Sequence, residues 1–170
     1  MRTFSLLTAT ALISGLLAGS PALAAPAEEF VRGSVQNKVP EQGRPMDTRT
    51  VSVHATEQDG DVSGQVNFRH VRQQPASSDD VTGLSKFRGT VDCLQVSGAV
   101  IRLAGVVTSE STRTGASLTG KPYAIEFDTA ADEFTLPGFP GNGFVTDGGE
   151  CPTSDRQRVD ITSGQLRSSG

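Results

Sequence analysis

The chain has 170 residues, and its 15 basic and 19 acidic side chains give a net charge of −4 at pH 7. This length suits one domain, and the mildly acidic balance predicts no broad basic face for nucleic acid or anionic lipid. With 35% apolar residues and 19 glycines, the composition excludes collagen, a coiled coil and a multi-pass membrane protein.

The first 24 residues have the features of a secretory signal peptide. Met1-Arg2 supplies a positive start, and an apolar stretch follows from about Phe4 to Leu17. Ala22-Leu23-Ala24 has small residues at its first and third positions, which is typical of a signal peptidase site. The apolar stretch is too short to span a membrane. We therefore predict a signal peptide over residues 1–24, and a secreted mature chain without a membrane span.

The rest of the chain divides into a short leader and one domain. Residues 25–47 show no helical or strand periodicity and contain three prolines, so we predict a flexible leader. From residue 48 to 168, short β-type runs alternate with turn residues at regular intervals. This spacing is typical of all-β folds. We predict a single antiparallel β-sandwich or flattened barrel over residues 48–168.

The first predicted strands form a hairpin. Alternation over Thr50–Thr56 places the apolar side chains on one side of a strand. Asp59-Gly60 is a two-residue turn signal, because both positions tolerate a positive φ. The return strand is predicted over Val62–Val71, with Val66 and Phe68 facing the core.

Two apolar strands at the centre of the sequence are predicted to lie mid-sheet. They span Phe87–Val96 and Ala99–Thr108, with a turn at Ser97-Gly98. Both are apolar on two faces near the turn, a pattern typical of strands that are covered on both sides. Shorter strands are predicted later in the chain, at residues 123–127, 133–136, 144–145 and 158–166.

Cys93 and Cys151 are the only cysteines. In a chain predicted to enter an oxidising compartment, an even number of cysteines favours a disulfide. The sequence has no CxxC motif or Cys/His cluster, which would favour a metal site or a reactive thiol. We therefore predict a Cys93–Cys151 disulfide, and no cofactor or metal.

His54 and His70 are the only imidazoles and hence the candidate bases of a hydrolase. A Ser-His-Asp enzyme needs one of them beside a serine at a sharp turn. The segment Gly115–Gly120 contains Ser117, but its glycine spacing is one residue longer than in G-x-S-x-G, and strand–turn–helix context is lacking. We favour two ordinary strand histidines and a surface loop, and we assign no catalytic residue.

Carboxylates gather in two later parts of the chain. Oxygen-rich turns can bind Ca²⁺, and two carboxylates across a cleft can hydrolyse a glycoside. Neither cluster has the spacing of a known calcium loop, so we expect solvated turn acids. The absence of tryptophan, with Tyr123 as the single tyrosine, argues against sugar binding by stacking. The candidate acids are Glu126, Asp128, Asp132 and Glu133, then Asp147, Glu150 and Asp155.

Five short motifs carry a resemblance to other proteins: Val91–Val96 (V-x-C-L-x-V), Gly105–Ser109 (G-x-V-T-S), Ile125–Asp128, Cys151-Pro152 and Thr162–Gly164. By these motifs, the chain from about residue 48 to 167 resembles small secreted bacterial β-rich proteins of uncharacterised function. The resemblance implies a β-rich architecture and transfers no catalytic residue. The chain departs from the pattern at residues 129–132. It has Thr-Ala-Ala-Asp there, where the other proteins usually have an N-G-E-P-G-like turn.

These observations predict a secreted non-enzymatic β-domain protein that binds an unknown extracellular or cell-envelope partner, and not nucleic acid. Binding residues are expected on the polar loops 73–80, 109–122 and 137–157, because loops on a rigid scaffold commonly carry function. Two alternatives stay open. One is a secreted hydrolase with a site assembled from His54 or His70 and loop carboxylates, and the other is a passive envelope or matrix component.

Overall fold

The computed structural model describes residues 28–39, 47–72, 84–111, 117–146 and 151–170. The predicted signal peptide over residues 1–24 and the predicted polar loop over residues 73–80 lie outside the described residues. The same holds for two of the candidate acids, Asp147 and Glu150.

The described residues form twelve β-strands and no helix, which confirms the predicted all-β fold. In chain order the strands are β1 (Glu29–Val39), β2 (Asp47–Gln58), β3 (Asp61–Arg72), β4 (Leu84–Thr90), β5 (Cys93–Ser97), β6 (Val100–Ser111), β7 (Pro122–Asp128), β8 (Glu133–Thr135), β9 (Phe144–Val145), β10 (Thr153–Ser154), β11 (Arg158–Asp160) and β12 (Ser163–Ser169).

The main sheet is antiparallel and has the strand order β11-β8-β7-β6-β4-β3-β2-β1-β12, with β5 also paired to β6. Strands β11 and β12 therefore lie at opposite edges, although only Ile161 and Thr162 separate them in the chain. The sheet curls until its two edges meet. There the Ile161 N–H donates to the Asp132 carbonyl (2.6 Å) and the Thr162 N–H to the Gln36 carbonyl (2.7 Å). The result is a half-barrel.

Two predicted strands are each divided in the structure. The segment 158–166 is β11 and β12, because the chain crosses there from one edge of the sheet to the other. The segment Phe87–Val96 is β4 and β5, which pair one after the other with the same side of β6. The predicted hairpin turn is confirmed, because Asp59 and Gly60 both have positive φ, 55° and 85°.

The corner between β4 and β5 is held by Tyr123. The Tyr123 hydroxyl donates to the Thr90 carbonyl at 2.6 Å, and the Asp92 N–H donates to the Ala104 carbonyl at 2.9 Å. Gly105 lies directly beneath, and a Cβ atom there would collide with the same Thr90 carbonyl. The chain can therefore turn sharply here while its backbone groups stay hydrogen-bonded.

The prediction of a flexible leader over residues 25–47 is wrong for residues 29–39, which form β1. This strand pairs along its full length with β2, and on its other side with β12. Its inward positions include Gly33 and Asn37, so only Val31 and Val35 show the apolar alternation of a strand. The partners that stabilise β1 are distant in sequence, and local periodicity does not reveal them.

The half-barrel encloses one main apolar cluster. Inward side chains from both halves of the curled sheet are buried there, and the rings of Phe68, Phe87 and Tyr123 follow one another with centroids 5.5 and 5.3 Å apart. The largest fully buried side chains are Tyr123, Phe127, Phe134, Ile101, Leu103, Ile125, Val31, Val35, Val51, Val66, Val91 and Val107.

The predicted disulfide is confirmed. Cys93 begins β5, and its Cα atom lies 5.7 Å from that of Cys151. Cys151 is buried against Ala104 and Ala124. The crosslink therefore fastens the segment before β10 to the centre of the sheet.

We expect the double substitution Cys93→Ala/Cys151→Ala to lower the free energy of unfolding by about 4 kcal/mol, because the unfolded chain regains the entropy of an open loop. Urea unfolding of the oxidised protein and the variant measures the difference. Reductant should lower the unfolding midpoint of the native sequence and leave that of the variant unchanged. Equal midpoints for the two proteins would contradict a stabilising crosslink.

Tyr123 should make the stability fall at alkaline pH. Burial, and secondly the negative charge of Asp92, raise the pKa of its phenol far above the usual 10.0. The folded protein holds this proton more tightly than the unfolded chain does. The stability contribution is therefore complete below about pH 10 and is lost as the pH rises from there toward the folded-state pKa.

Tyr123→Phe isolates this effect, because Tyr123 is the only tyrosine. The variant should lose about 1–3 kcal/mol at neutral pH, since the partly buried Thr90 carbonyl loses its side-chain donor. Its stability should then fall less steeply above pH 10 in urea unfolding across a pH series. The idea fails if the tyrosinate absorbance of the folded protein rises with the same midpoint as that of the urea-unfolded chain.

Candidate functional site

His70 belongs to a chain of polar side chains at the end of the half-barrel where β2 begins. Its Nε2 lies 2.5 Å from Asp47 Oδ1, and Asp47 Oδ2 accepts a hydrogen bond from Arg49 Nη2 at 2.8 Å. Arg49 Nη1 donates to Asn37 Oδ1 (3.0 Å), and Asn37 Nδ2 donates to the Asp160 carbonyl (2.8 Å). We call these four side chains the His70 network; Asp47 and Asn37 are its buried members.

Strand register explains why the network forms. Asn37, Arg49 and His70 are paired across β1, β2 and β3, so they form one row on the inner face. The next inner row is Val35, Val51 and Phe68. The network therefore closes the end of the apolar core with polar groups that hydrogen-bond to one another, as most buried polar groups do. Among the described residues, only the buried Arg49 Nε of this network has no hydrogen-bond partner.

The structure brings only part of the predicted hydrolase together. His70 with Asp47 has the form of an oriented imidazole, which is one half of a Ser-His-Asp triad. Ser117, the serine of the predicted loop, donates instead to Glu110 Oε1 at 2.8 Å, and the Leu118 N–H donates to the same oxygen at 2.5 Å. His54 is exposed on the outer face of β2, opposite in direction to His70.

The buried acid Glu126 is neutralised by two arginines. Arg102 Nε lies 2.8 Å from its Oε2, and Arg158 pairs with its Oε1. The Glu126 N–H donates to the Thr135 hydroxyl at 2.9 Å. Glu126 thereby connects β7 to β6, β8 and β11, and the two arginines neutralise its negative charge.

The other candidate acids lie in turns and on a strand edge. Asp128 Oδ1 accepts the N–H groups of Ala130 and Ala131, which caps the turn after β7. Asp132 occupies that turn with a φ of 55°. Asp155 lies beside β10 and donates its N–H to the Gly143 carbonyl. In the described ranges, no group of three or more His, Cys, Asp or Glu side chains is arranged to hold a metal ion.

Acidic side chains instead form a row at one side of the sheet. Asp128 pairs with Glu133 across β7 and β8, and Glu133 pairs with Asp160 across β8 and β11. Residues that pair in this way point to the same face. Negative charge is therefore concentrated at the β11 edge, which we call the acidic edge.

The opposite charge collects on the outer face of β1–β4 and β12. Six exposed cations point outward there, and we call this surface the basic face. Register places Arg32 opposite Arg167, and Arg69 opposite Lys86. Like charges directly opposite each other destabilise a sheet, so sheet stability does not account for them. The six cations are Arg32, Lys38, Arg69, Lys86, Arg88 and Arg167.

The six cations of this face take part in none of the ion pairs among the described residues. Those ion pairs converge on Asp47, which faces inward, and on Glu126, which lies on β7. Register puts Asp61 on the outer side, at the far hairpin end of β3. Glu28 lies just before β1 and lines the same depression as Arg32. The cations of the basic face are thus left facing solvent.

A shallow groove of about 480 Å³ lies over β3, β4 and β6, at the β4 side of the basic face, and its lining also includes Glu110. Register defines two rows in it, Asn67–Arg88–Ser109 and Arg69–Lys86–Ser111. Arg88 Nε donates to Asn67 Oδ1 at 2.9 Å, which holds the guanidinium down on the sheet. We call this depression the β3–β4–β6 groove, and it is the candidate functional site.

The prediction that the chain has no broad basic face is wrong. It rests on a net charge of −4, which averages the basic face with the acidic edge. The signal that could have revealed the basic face is local. Lys86 and Arg88 alternate with Phe87 on β4, and Arg69 does so with Phe68 on β3, but only the strand register shows that these cations are neighbours.

No protein-family model, curated protein or solved structure matches the chain. The resemblance to small secreted bacterial β-rich proteins stays a prediction from the motifs. Throughout the described ranges, no helix is long and apolar enough to cross a membrane.

Asp47→Ala should lower the free energy of unfolding by about 2–3 kcal/mol, because Arg49 and His70 lose a charged hydrogen-bond partner. The matched control is Asp61→Ala, which removes the same charge from an exposed position and should change stability by less than about 0.5 kcal/mol. Urea unfolding compares the three proteins. Equal effects of the two substitutions would show that the His70 network does not stabilise the fold.

Proposed function

We propose that the protein is a secreted, non-enzymatic binding domain that holds an anionic partner outside the cell or in the cell envelope. The observation that carries this proposal is the pairing of Arg69 with Lys86, with Arg88 on the same face. These three cations take part in none of the ion pairs among the described residues. The carboxylate that lines the groove, Glu110, accepts hydrogen bonds from residues 117–118. The pairing of like charges costs stability in the free protein. An anionic partner would relieve that repulsion and gain electrostatic attraction.

The disulfide supports the location. Disulfides form and persist in oxidising compartments and are rare in the cytosol, and the Cys93–Cys151 bond is internal and buried on the Cys151 side. The predicted signal peptide over residues 1–24 points to the same route. The secreted, crosslinked β-domain would therefore meet its partner outside the cell or in the cell envelope.

A sheet face, rather than a loop cluster, would then carry the binding residues. The backbone of paired strands is already fixed in position, so binding orders the exposed side chains but not the backbone. The Arg88–Asn67 hydrogen bond reduces the cost of that ordering. The proposed binding site is therefore the β3–β4–β6 groove and not the polar loops that the sequence suggested.

Ion-exchange chromatography tests the basic face directly. At pH 7 the chain carries a net negative charge, yet we expect the protein to be retained on a sulfonate resin at low salt, because a local patch governs the contact. Retention should weaken as salt rises, since exposed charges are screened. Arg69→Ala/Lys86→Ala/Arg88→Ala should pass through unretained.

The matched control is Ser97→Glu/Ala130→Glu/Ala131→Glu, which lowers the net charge by the same three units at exposed positions near the end of β6 opposite to the groove. This variant should be retained like the native sequence. Flow-through of the native protein, or equal losses of retention in both variants, would refute the proposal.

A further inference from the structure

We propose that the partner of the basic face is an acidic polysaccharide, a polymer of sugars that carry carboxylates, and that it lies along the β3–β4–β6 groove. This inference rests on the proposed function above and names the ligand class of the same site. The spacing of the charges, the polar groups between them and the shape of the surface support this ligand class.

The spacing of the cations fits a polymer better than a single small anion. Neighbouring strands lie about 4.8 Å apart, and alternate residues of one strand about 7 Å apart. Arg69 and Lys86 are therefore side by side, with Arg88 one step further along β4. Arg32 and Arg167 continue the positive charge across the same sheet toward β12. Repeated negative charges would match this extended array.

The polar groups between the cations suit the hydroxyls of sugars. Ser109 and Ser111 end the two rows of the groove, and Asn67 begins one of them. On the adjoining strands, the Ser34 and Ser52 hydroxyls lie 2.9 Å apart on the same face. Short hydroxyl and amide groups both donate and accept hydrogen bonds. Arginine can in addition bind a carboxylate through two parallel hydrogen bonds.

The same surface is poorly suited to nucleic acid. Single-stranded nucleic acid is usually bound by aromatic side chains on which bases stack, and the outward side chains of the groove include no aromatic ring. Phe30 lies elsewhere on the basic face, and the Arg32 guanidinium covers its ring at 5.4 Å from the centroid. Sequence-specific readers of duplex DNA insert a helix or a β-ribbon into a groove, whereas this site is a depression in a sheet.

Lack of tryptophan does not conflict with this ligand class. Stacking on aromatic rings recognises the apolar face of a sugar, and the sequence argues against that mode of binding. Charge and hydrogen bonding provide another mode. This mode predicts that binding requires the carboxylates of the polymer and weakens as the salt concentration rises.

Binding of the secreted, disulfide-intact protein to polygalacturonate, measured by biolayer interferometry at low and physiological ionic strength, tests the inference. Dextran, a neutral polysaccharide, is the matched probe. We expect binding to polygalacturonate and none to dextran. The variant Arg69→Ala/Lys86→Ala/Arg88→Ala should bind at least about tenfold more weakly, the combined effect of three exposed charge contacts.

The control Ser97→Glu/Ala130→Glu/Ala131→Glu should bind polygalacturonate within about twofold of the native sequence, because the contacts in the groove, rather than the net charge, set the affinity. Urea unfolding midpoints of both variants confirm that they are folded. Equal weakening by the two variants would overturn the inference.

Two further outcomes separate this inference from the proposed function. Retention on the sulfonate resin without binding to polygalacturonate would refute the polysaccharide and leave the anion-binding function standing. Tighter binding to single-stranded DNA than to polygalacturonate would also refute it and assign the face to nucleic acid. If the native protein is not retained on the resin and does not bind polygalacturonate, both proposals are refuted.

Discussion

The short connection between β11 and β12 sets the form of the whole protein. Two residues, Ile161 and Thr162, join strands at opposite edges of the same sheet. A flat sheet of this width could not be bridged by so short a segment, so the sheet has to curl until its edges meet. Curling gives every strand an inner and an outer face. Apolar side chains fill the inner one, and the His70 network closes one end of it.

The same curl separates the charges. Acids collect at the acidic edge through the pairing of Asp128, Glu133 and Asp160, while the outer surface of β1–β4 and β12 is cationic. Opposite charges could have been interleaved, as stable sheets commonly arrange them. In the described residues, acids and cations thus lie on separate surfaces, which the net charge conceals, and such a separation guides charged partners toward one face.

Local signals made part of this structure predictable from the sequence. Asp59-Gly60 marks its hairpin because the turn chemistry lies in two adjacent residues, and the disulfide follows from an even cysteine count. Strand β1 was not predictable, because Gly33 and Asn37 interrupt its pattern and its partners are remote. The candidate site was hidden for the same reason: the proximity of Arg69 and Lys86 is a property of register, which sequence periodicity does not specify.

Gly89 lies between the packed core and the candidate site. A Cβ atom there would collide with the Tyr123 ring, the ring that holds the corner between β4 and β5. At this point β4 and β6 are out of register by one residue, so that Arg88 pairs with Ser109 while Gly89 pairs with Val107. A bulge of this kind redirects neighbouring side chains. The packing that closes the corner therefore also sets Arg88 in line with Ser109 on the outer face, and the position of the groove follows from the way the core is closed.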